Sequence, residues 1–114
     1  MKLGLTILFI SIITLCNAQD SPQGKWKTHE GDVVELSLEN GNWIGKLLQS
    51  KDETSLGKTI LRNFKEDGKK LKGEIYSPQA SKFIEGILEI EDDKMEVTGK
   101  LGFISKSFTW TRVE

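Results

Sequence analysis

From Val33 onward the chain alternates. Val34, Leu36 and Leu38 stand on one face of an extended segment and Glu35, Ser37 and Glu39 on the other, the period of two that a half-buried strand requires. Asn40-Gly41 joins this run to a second over residues 42–49. Asn-Gly between two such runs is a strong hairpin signal because both residues tolerate positive φ. The same reading predicts strands near 25–28, 59–64, 69–76, 82–90, 94–101 and 106–113. Turn chemistry separates them: Glu66-Asp67-Gly68, Ser77-Pro78-Gln79, Glu91-Asp92-Asp93 and Gly102. No segment carries a helical stripe, and there is no internal repeat.

Eight short strands in sequence predict an all-β fold, a small antiparallel up-and-down β-barrel, because closure removes the exposed edges that a flat sheet would leave. Strand phase assigns the interior to Trp26, Val34, Leu36, Leu38, Trp43 and Leu47, then Leu71, Ile75, Ile84, Leu88 and Ile90, then Met95, Val97, Leu101, Phe108 and Trp110. It assigns no interior position to residues 59–64. Gly45, Gly73, Gly86 and Gly99 share that inward phase in mid-strand, where glycine marks either barrel curvature or a space cleared for a ligand. Closure makes the first and last strands neighbours, so the Arg112 guanidinium is expected over the Trp26 indole as a structural plug at one end.

Residues 1–18 read differently. Lys2 precedes a stretch, Leu3 to Leu15, that is apolar apart from Gly4, Thr6, Ser11 and Thr14, and Ala18 ends it. That is the grammar of a removable signal peptide, and the run of about 13 apolar residues is too short to span a bilayer. The expected mature chain, residues 19–114, is a single domain with no membrane span, periplasmic or secreted. Without Lys2 it carries 15 Lys plus Arg against 17 Asp plus Glu, a balance that argues against nucleic acid as a partner. Its single His is His29, and the chain's single Cys, Cys16, lies in the leader. A disulfide, a Cys-based zinc site and a cysteine nucleophile are therefore excluded from the mature domain.

The Gly24-Lys25-Trp26 start and the late Arg112 look like the lipocalin and calycin pattern. With Gly73-Glu74-Ile75-Tyr76-Ser77-Pro78, Lys82, Gly86-Ile87-Leu88, Met95-Glu96-Val97-Thr98-Gly99 and Phe108-Thr109-Trp110-Thr111-Arg112-Val113, the chain resembles the secreted bacterial family catalogued as domain of unknown function 2147. The resemblance implies a calycin-like fold and an exported protein, and no established activity. Ser77, Ser81 and Ile84 stand where that family usually has Asp, Gly and Tyr, and residues 50–58 form a shorter loop than the family's.

The remaining candidate chemistry is sparse. His29 beside Glu30 and Asp32 is read as solvated surface, and Glu89, Glu91, Asp92 and Asp93 lack the order of a calcium loop. With no nucleophile and base to assemble, the chain is not read as an enzyme, and no catalytic residue, metal or cofactor is assigned. The first functional reading is a binding module for a small apolar or amphipathic ligand at the barrel mouth, with Trp43, Tyr76, Phe83 and Trp110 as contacts. The alternative is a solid-core barrel that meets another envelope protein through its outer face, where Ile44, Leu48, Phe83 and Ile87 are apolar. Eight strands permit a filled interior or one small ligand.

The leader predicts a mature N-terminus at Gln19. N-terminal sequencing of the exported protein reads Gln-Asp-Ser-Pro; a chain that retains Cys16, with or without lipid, contradicts it.

Overall fold

The computed structural model describes residues 21–113. The leader, Cys16 and the cleavage position before Gln19 lie outside them. The strands are β1 (Gly24–Lys27), β2 (Val33–Glu39), β3 (Asn42–Gln49), β4 (Thr59–Asp67), β5 (Lys70–Ser77), β6 (Lys82–Glu91), β7 (Lys94–Leu101) and β8 (Ile104–Arg112). Each pairs antiparallel with the next, and β1 pairs with β8, closing an up-and-down barrel in chain order. Two strands are longer than their alternation suggests: β4 runs on to Asp67, and β8 begins at Ile104. In the loop between β3 and β4, the Asp52 carboxylate caps a single 3₁₀ turn, Glu53–Ser55, by accepting from the Thr54 backbone N–H. Hydrogen bonds from the Thr54 and Ser55 side chains hold that carboxyl below its ordinary pKa.

The core is built on an irregular strand. In β4 the partners of Arg62 and Lys65 on β5 are Glu74 and Lys72, so β4 contains one residue more than its neighbour. Asn63 absorbs the extra residue with φ 59°, a left-handed conformation that Asn tolerates better than most residues. The bulge resets the strand's phase, and Leu61 and Phe64, three positions apart, are both fully buried. These are the interior residues of β4 that a strict period of two cannot find.

Phe64 accounts for the inward glycines. Gly73, Gly86 and Gly99 oppose one another across β5, β6 and β7. A Cβ at Gly73 would stand 2.7 Å from Phe64 Cγ and 2.8 Å from Arg62 O, and one at Gly86 would stand 3.1 Å from Phe64 Cζ. The ring therefore lies from one glycine to the next along the barrel floor. Leu61 covers Gly45 in the same manner, 2.9 Å from where a Cβ would be. Gly45, Gly73 and Gly86 are slots for large side chains from β4, close approaches that a β-carbon would obstruct. Trp26, Val34, Leu36, Leu47, Leu71, Leu88, Met95, Val97 and Trp110 complete the buried cluster.

Leu38, Leu101 and Phe108 depart from their expected interior places and are 59%, 42% and 40% exposed. The short first strand explains this. β1 reaches β8 at only two positions, Trp26 opposite Arg112 and Lys27 opposite Thr111, and on β2 it begins opposite Leu36. Inward side chains beyond its reach have no strand to cover them.

Gly73→Ala should cost about 3 kcal/mol or more, because the new methyl meets backbone, whereas Gly99→Ala, which meets only the flexible Ile84 Cδ1 at 3.2 Å, should cost about 1 kcal/mol or less. Urea denaturation of the two variants checks the ranking; equal midpoints would remove the slot.

Candidate functional site

One end of the barrel is tied shut. The Arg112 guanidinium carbon sits 4.3 Å from the centroid of the Trp26 ring, and its two terminal nitrogens donate to Gln23 O at 2.9 Å and Ser21 O at 2.8 Å. Trp26 Nε1 donates in turn to Pro22 O at 3.0 Å. The segment ahead of β1 is thereby folded across this end and held by a cation from the far terminus. A planar guanidinium can stack and donate twice at once, and an ammonium cannot. Gly24, at φ 131°, leaves the space the guanidinium needs, since a Cβ there would lie 3.2 Å from Arg112 Nη1.

The four side chains suggested as ligand contacts fall in three places. Trp43 is half-buried on β3 opposite Phe64. Trp110 is buried inside, opposite Met95, and its Nε1 has no acceptor among the described residues. Tyr76 and Phe83 are on the outer face, paired across β5 and β6 as an edge-to-face contact with centroids 5.5 Å apart. The Arg62 guanidinium carbon lies 3.7 Å from the Phe83 centroid, and Arg62 Nε donates to Glu74 Oε1 at 2.8 Å. Asn63 Nδ2 donates to the same oxygen at 3.2 Å. These bonds, Arg62's first, hold the Glu74 carboxyl below its ordinary pKa. Tyr76 and Phe83 thus belong to a clamp that grips the β4 bulge from outside while Phe64 fills the barrel from within.

The opposite end stays open on one side. The turn after β1 is held by Thr28, whose hydroxyl accepts from the backbone N–H of Glu30 and of Asp32. It presents the His29 ring flat against Phe108, centroids 3.9 Å apart and planes within 10°. Beyond that stack, the β7–β8 hairpin stands free. Phe103 at its turn is fully exposed, Ile104 is 61% exposed, and Leu101 and Phe108 share the inward phase beside them. Among the described residues no strand pairs with the outer edge of β8 from Ser105 to Thr109. Sequence reading passed over this patch because Gly102 registered only as a separator. The available signal was a Leu-Gly-Phe-Ile turn where polar residues are the rule.

At the other end of the same strands, Glu89, Glu91 and Glu96 with Lys69 and Lys94 line an open groove of about 480 Å³. Among the described residues no three of His, Cys, Asp and Glu gather as a metal ligand set, and no helix is long and apolar enough to cross a membrane.

Compared with known proteins, residues 24–112 match the model of a family described as an uncharacterized protein conserved in bacteria, DUF2147. The match spans all eight strands. No curated protein and no solved structure matches.

Arg112→Ala removes a stacked cation and two charge-assisted hydrogen bonds, and should lower stability by about 2 to 3 kcal/mol. Arg112→Lys should recover less than half of that. Chemical denaturation gives both values, and an unmoved midpoint in the alanine variant would deny Arg112 its closing role.

Proposed function

The chain belongs to the uncharacterized bacterial family DUF2147, and on that premise we propose that it is an exported, non-enzymatic barrel that acts by contact through its surface within the cell envelope. The observation that carries this reading is the filled floor. Phe64 occupies the space above Gly73 and Gly86, and Leu61 the space above Gly45, so the positions that would define a deep ligand cup already hold side chains. The two most exposed large apolar side chains among the described residues, Phe103 and Ile104, are external, on the β7–β8 hairpin. Residues 1–18 supply the address, the periplasm or the exterior. No catalytic residue, metal or cofactor enters this reading.

A second reading keeps a small apolar or amphipathic ligand, seated shallowly at the mouth. It is favoured by the buried Trp110 indole N–H, which lacks an acceptor among the described residues and which a ligand oxygen would satisfy.

Gly86→Leu separates the two. In a filled barrel the larger side chain collides with Phe64 and Ile75, each 3.1 Å from where its Cβ would stand, and stability should fall by about 3 kcal/mol. Native mass spectrometry of the wild-type protein from its own envelope should then show the bare mass. A small molecule travelling with the wild type, and lost from a folded Gly86→Leu, would establish the ligand reading instead.

A further inference from the structure

We propose that the β7–β8 hairpin docks the protein on an anionic lipid surface, with the turn Leu101-Gly102-Phe103-Ile104 entering the interface. This rests on the surface-contact reading and names the partner. The hairpin apex is apolar on all sides: Phe103 is fully exposed, and Ile104 and Leu101 flank it at 61% and 42%. A phenyl ring that projects from the apex of a turn, with exposed apolar neighbours on both sides, suits a medium that closes around it. Acyl chains do so without a preformed pocket.

Charge supplies the complementarity. Lys100 precedes the apex and Lys106 follows it, and the register places Lys100 opposite Ser105 and Lys106 opposite Gly99, so the two ammonium groups leave from opposite faces of the hairpin. Lys82 opens β6 at the same end. The carboxylate set against them is Glu85, opposite Lys100; Glu30 and Asp32 lie across the mouth in the turn that holds His29, and Asp52 and Glu53, with Lys51 and Lys58, lie in the loop between β3 and β4. At the far end of the same two strands the charges are mixed: Lys94 opens β7 and Arg112 closes β8, with Glu96 beside them and Glu91, Asp92 and Asp93 in the turn that leads into β7. A hairpin tip whose charged residues are both lysines, Lys100 and Lys106, turns toward anionic headgroups.

The depth is limited by the same residues. Lys106 lies two residues below Ile104, about 7 Å along a strand, which matches the shallow burial of interfacial segments. The unpaired backbone groups on the outer edge of β8 begin at Ser105 and could not enter hydrocarbon without losing their hydrogen bonds to water. Entry therefore stops at the apex, with the lysines among the headgroups. A protein partner would instead add a strand along that edge, and would depend on the edge more than on Phe103.

The test is flotation of the protein recovered from the envelope, its N-terminus read in the same preparation, with vesicles of phosphatidylglycerol and phosphatidylcholine mixed and with phosphatidylcholine alone. The anionic vesicles should be bound roughly tenfold more tightly, with the preference lost at high salt. Phe103→Ser, which touches no packed residue and leaves the denaturation midpoint in place, should weaken binding roughly tenfold. Lys100→Glu with Lys106→Glu should abolish the preference. Equal flotation of wild type and Phe103→Ser overturns the proposal. So does an absence of vesicle binding in a protein that self-associates or cross-links through β8, which would leave the surface-contact reading standing with a protein as partner. A single lipid held one-for-one in native mass spectra, without vesicle binding, would overturn the surface-contact reading as well.

Discussion

The barrel depends on one aromatic ring lying against glycine. A barrel of eight strands has an interior that side chains just fill, and a phenyl ring reaching across two strands fits only where those strands offer no β-carbon. Gly73 and Gly86 provide the place, and the bulge at Asn63 aims Phe64 into it. The bulge is gripped on the other face by Glu74, which accepts from both Arg62 and Asn63, and by Phe83 under Arg62. Outer clamp and inner filling are thus two sides of one irregular strand. Their arrangement fills the floor of the barrel over Gly73 and Gly86.

The strand count, order and most of the inward residues were legible because alternation is a local property, and it survives wherever a strand is regular. β4 was not legible. Its inward residues Leu61 and Phe64 are separated by three positions, and only the residue at positive φ between them reconciles that spacing with a strand. The glycines were visible as anomalies in the sequence, but whether they open a space or receive a ring depends on the neighbouring strand's side chains, which strand phase alone does not reveal. Leu38, Leu101 and Phe108 show the converse limit. Their phase is inward, but phase states which way a side chain points, and cover depends on the length of the next strand.

The same distinction governs the candidate sites. Tyr76 and Phe83 pair with each other on the outer face, and Phe83 lies under Arg62. Trp26 and Arg112 meet across the seam because closure of an eight-strand barrel in chain order leaves the first and last strands no other neighbour. What topology could not supply was the additional hold of Arg112 on Gln23 O and Ser21 O, which binds the approach to the barrel as well as the barrel itself.

The seam between β1 and β8 also fixes an order of events in folding. Seven ladders join strands that follow each other in the chain and can zip from their turns. The eighth joins the two termini, and the bonds from Arg112 to Gln23 and Ser21 span 89 and 91 residues. Closing a loop of that length costs about 2 kcal/mol more chain entropy than closing a hairpin, for a ladder only two residue pairs wide. The sheet therefore forms first as an open, curling ribbon whose free margin is β8, and becomes a barrel only when the arginine finds the other end of the chain.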